Sequence, residues 1–287
     1  MAFEAVLPAT EKARRERRYA LILPREHGAW GLLLVPFVTG AGVALRQSGH
    51  VGPALLLLTA ALALFWLRTP VESLLGTSVM RAQTSEERRA VAVVIAGLMA
   101  VAALGLGALL WAGRNPELWL IGAAAAAAFI AQALLKNLGR RVRMLSEIVG
   151  TAGLTLAAPA AYYVITGKFG TVASTLWLAN LIFAGDQIHY VQLRIHTARI
   201  EGWRPKLARG RAFAVGQIVM AGVLTVACLR GFMPWLVLVA FAPILFRGWF
   251  YFFQKAAPLV VRRLGWSELV QAVVFCVLFI GAFWLTG

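Results

Sequence analysis

Ionisable side chains recur in this sequence at helical spacing beside long apolar runs. Arg68 and Glu72 lie four residues apart, so they share one face of a helix. Arg143 and Glu147 repeat that spacing. Asp186, the only Asp in the chain, is followed along the same face by His189, Tyr190 and Arg194. Carboxylates and imidazoles at such positions could act as a general base, and arginines could bind an anion.

A further ionisable group precedes the first apolar run. Arg25, Glu26 and His27 place a base, an acid and an imidazole together just before Trp30. Each of these groups also has a purely structural explanation. This segment could be an interfacial anchor, because Trp is common at headgroup level. The Arg–Glu pairs could be interfacial ion pairs, and Asp186 could be purely structural.

The amino-acid composition indicates whether these residues belong to a soluble or a membrane protein. The chain has 287 residues, of which 60% are apolar and 14% charged, against about 45–50% and about 25% in ordinary globular domains. A soluble domain cannot bury so much apolar surface, and the same figures exclude a disordered chain or a disulfide scaffold. Cys228 and Cys276 lie in apolar runs without metal-binding spacing, which favours a buried structural role. The sequence therefore predicts a polytopic integral membrane protein.

The apolar runs predict an all-α protein with nine transmembrane helices. A bilayer core about 30 Å thick requires roughly 20 apolar residues as helix. Runs of that kind between charges lie near 29–45, 53–72, 90–112, 117–135, 145–166, 170–190, 211–229, 232–250 and 268–286. We expect residues 1–28 to be a basic cytoplasmic N-terminal segment and residues 29–287 to be a single nine-helix transmembrane domain.

The distribution of basic residues supports this topology. With a cytoplasmic N-terminus and an external C-terminus, all but four of the 28 Lys and Arg residues fall on the cytoplasmic side, as the positive-inside rule requires. The four exceptions are Arg46, Arg114, Lys168 and Arg230. The longer loops, around 73–89 and 191–210, also face the cytoplasm, where we expect the function to lie. Because the basic residues are scattered over short segments, nucleic acid is not an expected partner.

The first predicted span resembles a known family. The segment Pro24–Trp30, followed by Leu33–Phe37, is similar to the YwiC-like family of bacterial membrane proteins. The similarity is strongest over this span and mainly topological elsewhere. It implies a multi-pass protein of the bacterial cytoplasmic (inner) membrane.

A more distant resemblance is to the UbiA prenyltransferase superfamily. Residues 135–140, running into 146–150, look like the Lys-Arg segment of that superfamily and the helix that follows span four. Residues 185–191 look like the start of its second Asp-rich motif. The resemblance implies a UbiA-like bundle of nine helices with a cytoplasm-facing cavity, and an isoprenoid or anionic lipid as ligand.

The sequence departs from that superfamily where a metal would bind. UbiA-type enzymes bind Mg²⁺-diphosphate through two Asp-rich motifs, because a hard cation prefers several carboxylate oxygens. The end of span two offers only one carboxylate, that of Glu72. In the second motif, the position after Asp186 where the superfamily has its next acidic residue holds Arg194. Mg²⁺ stays possible with these degraded motifs, but the sequence requires no cofactor and we assign no metal ligand.

Two functions are consistent with these features. In the first, arginines replace Mg²⁺ in holding a lipid phosphate or diphosphate, and the protein is a divergent prenyltransferase-like transferase. The expected catalytic residues are then Asp186, Glu72 and His27. The expected substrate-binding residues are Arg25, Glu26, Arg68, Lys136, Arg140, Glu147, His189, Tyr190 and Arg194.

In the second, the protein is not an enzyme. It binds a lipid or quinone, or is an assembly partner of a membrane (respiratory) complex, and the same charges form helix-end pairs. A transporter is less favoured, because no predicted span carries a charged residue at mid-membrane or shows a clearly broken helix pair.

Overall fold

The computed structural model describes residues 9–23, 27–76, 80–114, 116–139 and 142–286, which form helices and connecting turns without a strand. The described helices are α1 Ala9–Ile22, α2 His27–Ala44, α3 Gly52–Leu75, α4 Ser85–Trp111, α5 Pro116–Asn137, α6 Arg143–Thr155, α7 Ala157–Thr166, α8 Thr171–Thr197, α9 Trp203–Arg209, α10 Arg211–Leu229, α11 Val237–Phe253 and α12 Val261–Thr286. The predicted all-α fold is confirmed for these residues. The predicted site residues Arg25, Glu26 and Arg140 lie outside them.

Six helical segments among the described residues are long and apolar enough to cross a membrane. They are Gly52–Leu75, Ser85–Trp111, Glu117–Lys136, Met144–Thr166, Arg211–Leu229 and Val261–Thr286. Two further apolar helices are shorter, Trp30–Ala44 and Val237–Phe253. Helix α8 has 27 residues, enough to cross a bilayer, but it carries Asp186 and Arg194 and is not among the six. The chain is therefore a multi-pass membrane protein, and a count of nine crossings stays a prediction.

The chain divides into two compact units, which we describe separately. The first contains α1, most of α3, and α4. Ion pairs hold α1 at the start of α4, where Arg17 Nε lies 2.6 Å from Glu87 Oε1 and Arg18 Nη2 lies 2.6 Å from Glu86 Oε1. Glu87 also forms a capping box with Thr84, which satisfies free backbone N–H groups at the start of α4. The basic N-terminal segment therefore includes a helix that is anchored by carboxylates.

The second unit contains α2 and α5 to α12. Helix α8 packs against α6, α7, α10 and α11, and α11 packs against α12. Buried Asn180 of α8 donates from Nδ2 to Thr39 Oγ1 of α2 at 2.9 Å. These contacts place one end of α8, which carries most of its polar residues, among helices from the C-terminal half of the chain.

A proline interrupts the predicted span 145–166. Helix α6 ends at Thr155 and α7 begins at Ala157. Pro159 has no N–H to donate to the carbonyl of Thr155, and its ring crowds that carbonyl. The helix therefore breaks at Leu156, inside a segment that is long and apolar enough to cross a membrane.

Candidate functional site

Three charged side chains from three helices meet inside the second unit. They are Asp186 of α8, Arg247 of α11 and Glu268 of α12, and their side chains are 6%, 12% and 16% exposed. Arg247 Nη1 donates to Glu268 Oε1 at 2.5 Å, whereas Arg247 Nη2 lies 3.7 Å from Asp186 Oδ2. We call these three residues the acidic triad. With two carboxylates and one guanidinium, its formal charge is negative.

Helix α10 contributes an uncharged partner to the triad. Gln217 is buried, and its Nε2 donates to Asp186 Oδ1. Helix α11 makes room for this amide through Gly248, where an added Cβ would lie 3.0 Å from Gln217 Cδ and Oε1. Gln187 of α8 donates from Nε2 to the backbone carbonyl of Glu268 at 3.0 Å. Side chains from four helices therefore meet around Asp186, and one of them, Gln217, is hydrogen-bonded to its carboxyl group.

Toward the C-terminal end of α8, the rings of Tyr190 and Tyr251 pack next to the acidic triad and to Arg194. Tyr190 lies one turn beyond Asp186, and Arg247 Cζ is 3.9 Å from the centroid of its ring. Arg194 lies one turn further, with Cζ 4.8 Å from the centroid of Tyr251. Its Nη1 donates to Tyr190 Oη at 3.3 Å. Both arginines are stabilised by the negative faces of these rings.

Lys206 of α9 is a second cation at Tyr251. Its side chain is fully buried, and Nζ lies 5.0 Å from the ring centroid of Tyr251. Nζ donates to the backbone carbonyl of Gln254 at 2.6 Å. That carbonyl follows α11, whose C-terminus supplies about half an elementary negative charge. We call Arg194, Lys206 and Tyr251 the cationic end.

The cationic end has no carboxylate partner among the described residues, because no ion pair described there involves Arg194 or Lys206. Arg194 Nε is also buried without a hydrogen-bond partner. Two cations therefore share one aromatic ring and a helix end that neutralises only part of their charge. Such an arrangement attracts an anion.

The charge state of Lys206 is sensitive to this environment. Burial, and then repulsion from Arg194, lowers the pKa of Lys206 below its ordinary value of 10.5. Between the lowered pKa and 10.5 the unfolded chain binds more protons than the folded one, so stability rises with pH in that window.

We expect the wild-type protein in phosphate-free detergent solution to gain thermal stability as the pH rises through that window. Lys206→Met removes the titrating group and should remove this part of the pH dependence. The measurement is the midpoint of thermal unfolding at a series of pH values. Arg209→Met, at an exposed position of the same helix, is the control and should behave like the wild type. Equal slopes for Lys206→Met and the wild type would contradict the assignment.

The structure brings together only some of the residues predicted from the sequence. Asp186, Tyr190 and Arg194 lie in the region described above, and the ring of His189 packs edge-on against Phe213 at 5.5 Å. The other predicted residues that the structure describes lie on other helices. Arg68 and Glu72 form an ion pair at 3.0 Å in the first unit, His27 begins α2, Lys136 is exposed in the last turn of α5, and Glu147 is half-buried in α6.

Five residues of this region were missed from the sequence: Lys206, Gln217, Arg247, Tyr251 and Glu268. Arg247 lies inside α11, which continues to Phe253. Lys206 falls in the predicted cytoplasmic loop around 191–210, but it is buried in α9. Glu268 and Gln217 are single polar residues at the edge of or within apolar runs. That isolation was the available signal, since a polar group in an apolar helix requires a partner.

The acidic triad does not fit the Mg²⁺ site that the UbiA resemblance implies. Arg247 already contacts both carboxylates, so a divalent cation placed between them would face the guanidinium charge. Across the described part of the chain, no three His, Cys, Asp or Glu residues come together in a way that could hold a metal ion. The chemistry available here is therefore that of hydrogen-bonded charges and buried carboxyl groups.

Apolar helices of membrane-crossing length, with a polar region buried among several of them, define a multi-pass integral membrane protein. Residues 23–162 match the model of a family described as YwiC-like protein. This match confirms the resemblance predicted from Pro24–Trp30. It begins before α2 and ends within α7, so the acidic triad and the cationic end lie outside it. No curated protein and no solved structure matches the chain.

Proposed function

We propose that this protein binds the phosphorylated headgroup of an isoprenoid, or of another anionic lipid, at its cationic end. The observation that carries the proposal is the pair of cations at Tyr251, half-buried Arg194 and buried Lys206, with no carboxylate partner in the described residues. A phosphate or diphosphate would neutralise both. Arg194 could donate from Nε and the terminal nitrogens in a planar fork, and Lys206 would act as a compact point charge.

The topology that we propose places this site where a lipid headgroup lies. In this proposal each of the nine predicted spans is assigned to a helix that overlaps it: α2, α3, α4, α5, the α6–α7 pair, α8, α10, α11 and α12. If the N-terminus is cytoplasmic, α8 runs toward the cytoplasm and ends there, with Arg194 in its last turn. A UbiA-like arrangement in the bacterial cytoplasmic membrane, with a cavity on that side, would bring an isoprenoid chain between the helices and its headgroup to the cationic end.

The proposal is tested by mass spectrometry of the lipids that co-purify with the detergent-solubilised protein. The variants are Arg194→Gln and Lys206→Met, and Arg209→Gln is the matched control because it removes an exposed cation from α9. We expect a prenyl phosphate or another phosphorylated lipid in the wild type and in the control. Each site variant should retain at least about tenfold less phosphorylated lipid than the wild type, because one charge-assisted hydrogen bond contributes about 1.5–3 kcal/mol.

Two probes then separate the possible sources of the phosphate group. Farnesyl diphosphate and inorganic diphosphate are each added to delipidated protein, and binding is measured by calorimetry. Binding of the lipid but not of the free anion identifies a lipid site. Equal retention of bulk phospholipid by all four proteins, with no binding of either probe, would overturn the proposal.

Catalysis is a separate question from binding. A divergent transferase would turn over a prenyl diphosphate, and its activity would survive EDTA because arginines and not Mg²⁺ hold the headgroup. A non-enzymatic lipid- or quinone-binding subunit would retain the ligand unchanged. Product analysis with and without EDTA distinguishes the two functions.

A further inference from the structure

The carboxyl group of Asp186 is buried, but it has no close cation to balance the charge of its ionised form. Its side chain is 6% exposed, and the nearest described cation, Arg247, is 3.7 Å away with no hydrogen bond between them. The same guanidinium is bonded more closely to Glu268, at 2.5 Å. One guanidinium cannot compensate two buried carboxylates, and an uncompensated charge inside a membrane protein is expensive.

The hydrogen bonds of Asp186 indicate what is missing. Gln217 Nε2 donates to Asp186 Oδ1, but Asp186 Oδ2 and Gln217 Oε1 are both buried oxygens to which no protein group donates. A carboxylic acid and a primary amide can form two hydrogen bonds with each other, one from the amide N–H and one from the acid O–H. A proton on Oδ2 is therefore the donor that would complete this pair.

The other groups around Asp186 act in opposite directions on its proton affinity. On α12, Glu268 favours protonation, whereas Arg247 on α11 opposes it. The further titratable groups on these helices are His189, Tyr190, Arg194 and His196 of α8 and Tyr251 of α11. Arg194 is eight residues from Asp186, about 12 Å along the helix axis. Helix α6 contacts α8 at Trp177, nine residues before Asp186.

We propose that Asp186 is a proton-binding site inside the membrane protein. The carboxylate takes up a proton from water on Oδ2, and the resulting acid donates a hydrogen bond to Gln217 Oε1. Release of the proton to water restores the carboxylate. Glu268 and Arg247 form the fixed ion pair beside it, and Gln217 is a positioning residue. This site does not depend on lipid binding at the cationic end, so either proposal can fail alone.

The experiment uses the fact that Asp186 is the only Asp in the chain. Wild-type protein made by cell-free synthesis with aspartate labelled with ¹³C at Cγ carries a single labelled carboxyl group, without conversion of the label into asparagine. Isotope-edited infrared spectroscopy of this protein in lipid bilayers then reports its protonation from about pH 5 to about pH 9, a range in which an ordinary Asp, with a pKa of about 3.9, is ionised.

We expect the labelled group to be a carboxylic acid at the lower end of that range and to become a carboxylate as the pH rises. Gln217→Leu should shift the carbonyl frequency of the acid, because it removes the amide partner. Glu201→Gln, in an exposed segment, should change nothing. A labelled carboxylate at every pH in the wild type would overturn the proposal, as would a frequency that Gln217→Leu leaves unchanged.

Discussion

Replacement of Arg247 by leucine is expected to lower the free energy of unfolding by about 3–5 kcal/mol, which is the usual cost of removing one partner from a buried ion pair. The variant leaves Glu268 without its cation in a largely buried position, and Tyr190 loses the guanidinium that packs on its ring. Thermal or denaturant unfolding of the purified protein in detergent measures the effect.

The control for Arg247 is Arg262→Leu, which removes an exposed cation from α12 and should change stability by less than about 0.5 kcal/mol. Addition of Glu268→Gln to Arg247→Leu should restore part of the lost stability, because the unpaired charge is then removed together with its partner. If Arg247→Leu costs no more than Arg262→Leu, the acidic triad is not a coupled cluster.

Gly40→Ala is expected to be the second most damaging change, with a loss of about 3 kcal/mol in the free energy of unfolding, the upper end of the usual cost of overpacking. A Cβ at Gly40 of α2 would lie 2.1 Å from the carbonyl oxygen of Ala158 in α7. Because the obstructing atom belongs to the backbone, no side-chain rotation relieves the overlap, and the two helices must move apart. The measurement is the same unfolding experiment, together with the yield of monodisperse protein.

Gly31→Ala is a matched control on the same helix, since a Cβ at Gly31 meets no atom within 4 Å. Alanine is the better helix former by about 1 kcal/mol, so Gly31→Ala should leave stability unchanged or raise it slightly. Equal effects of the two substitutions would show that α2 does not pack closely against α7 in solution.

The acidic triad and the cationic end both include residues of α8, and the two sites have opposite formal charge. The cationic end is at the C-terminus of α8, and the acidic triad begins about 12 Å earlier along the helix axis. Tyr190 lies between them and contacts a cation of each, Arg247 and Arg194. An anion bound at the cationic end and a proton bound at Asp186 would therefore both change the charge next to Tyr190. The lipid and infrared experiments test these two ligands independently.

The sequence predicted the features that depend on a single helix. Its apolar runs predicted the helical segments, and the spacing of Arg68 and Glu72 predicted a shared face, which the structure confirms with an ion pair at 3.0 Å. Asp186, Tyr190 and Arg194 were correctly assigned to one face of α8. These predictions succeed because helical periodicity places residues three or four positions apart on the same side, whatever the helix packs against.

Composition and local spacing by themselves determined that this is a helical membrane protein and that Asp186, Tyr190 and Arg194 share one face of a helix. Tertiary structure alone decided that Asp186 meets Arg247 and Glu268, which lie on other helices at least 61 residues further along the chain, and that Lys206 is buried against Tyr251. Such partners depend on which helices approach closely, and close approach depends on non-local contacts such as the one between Gly40 and Ala158. An isolated polar residue in an apolar run shows that a partner is required, but only the packing of the helices determines which residue that partner is.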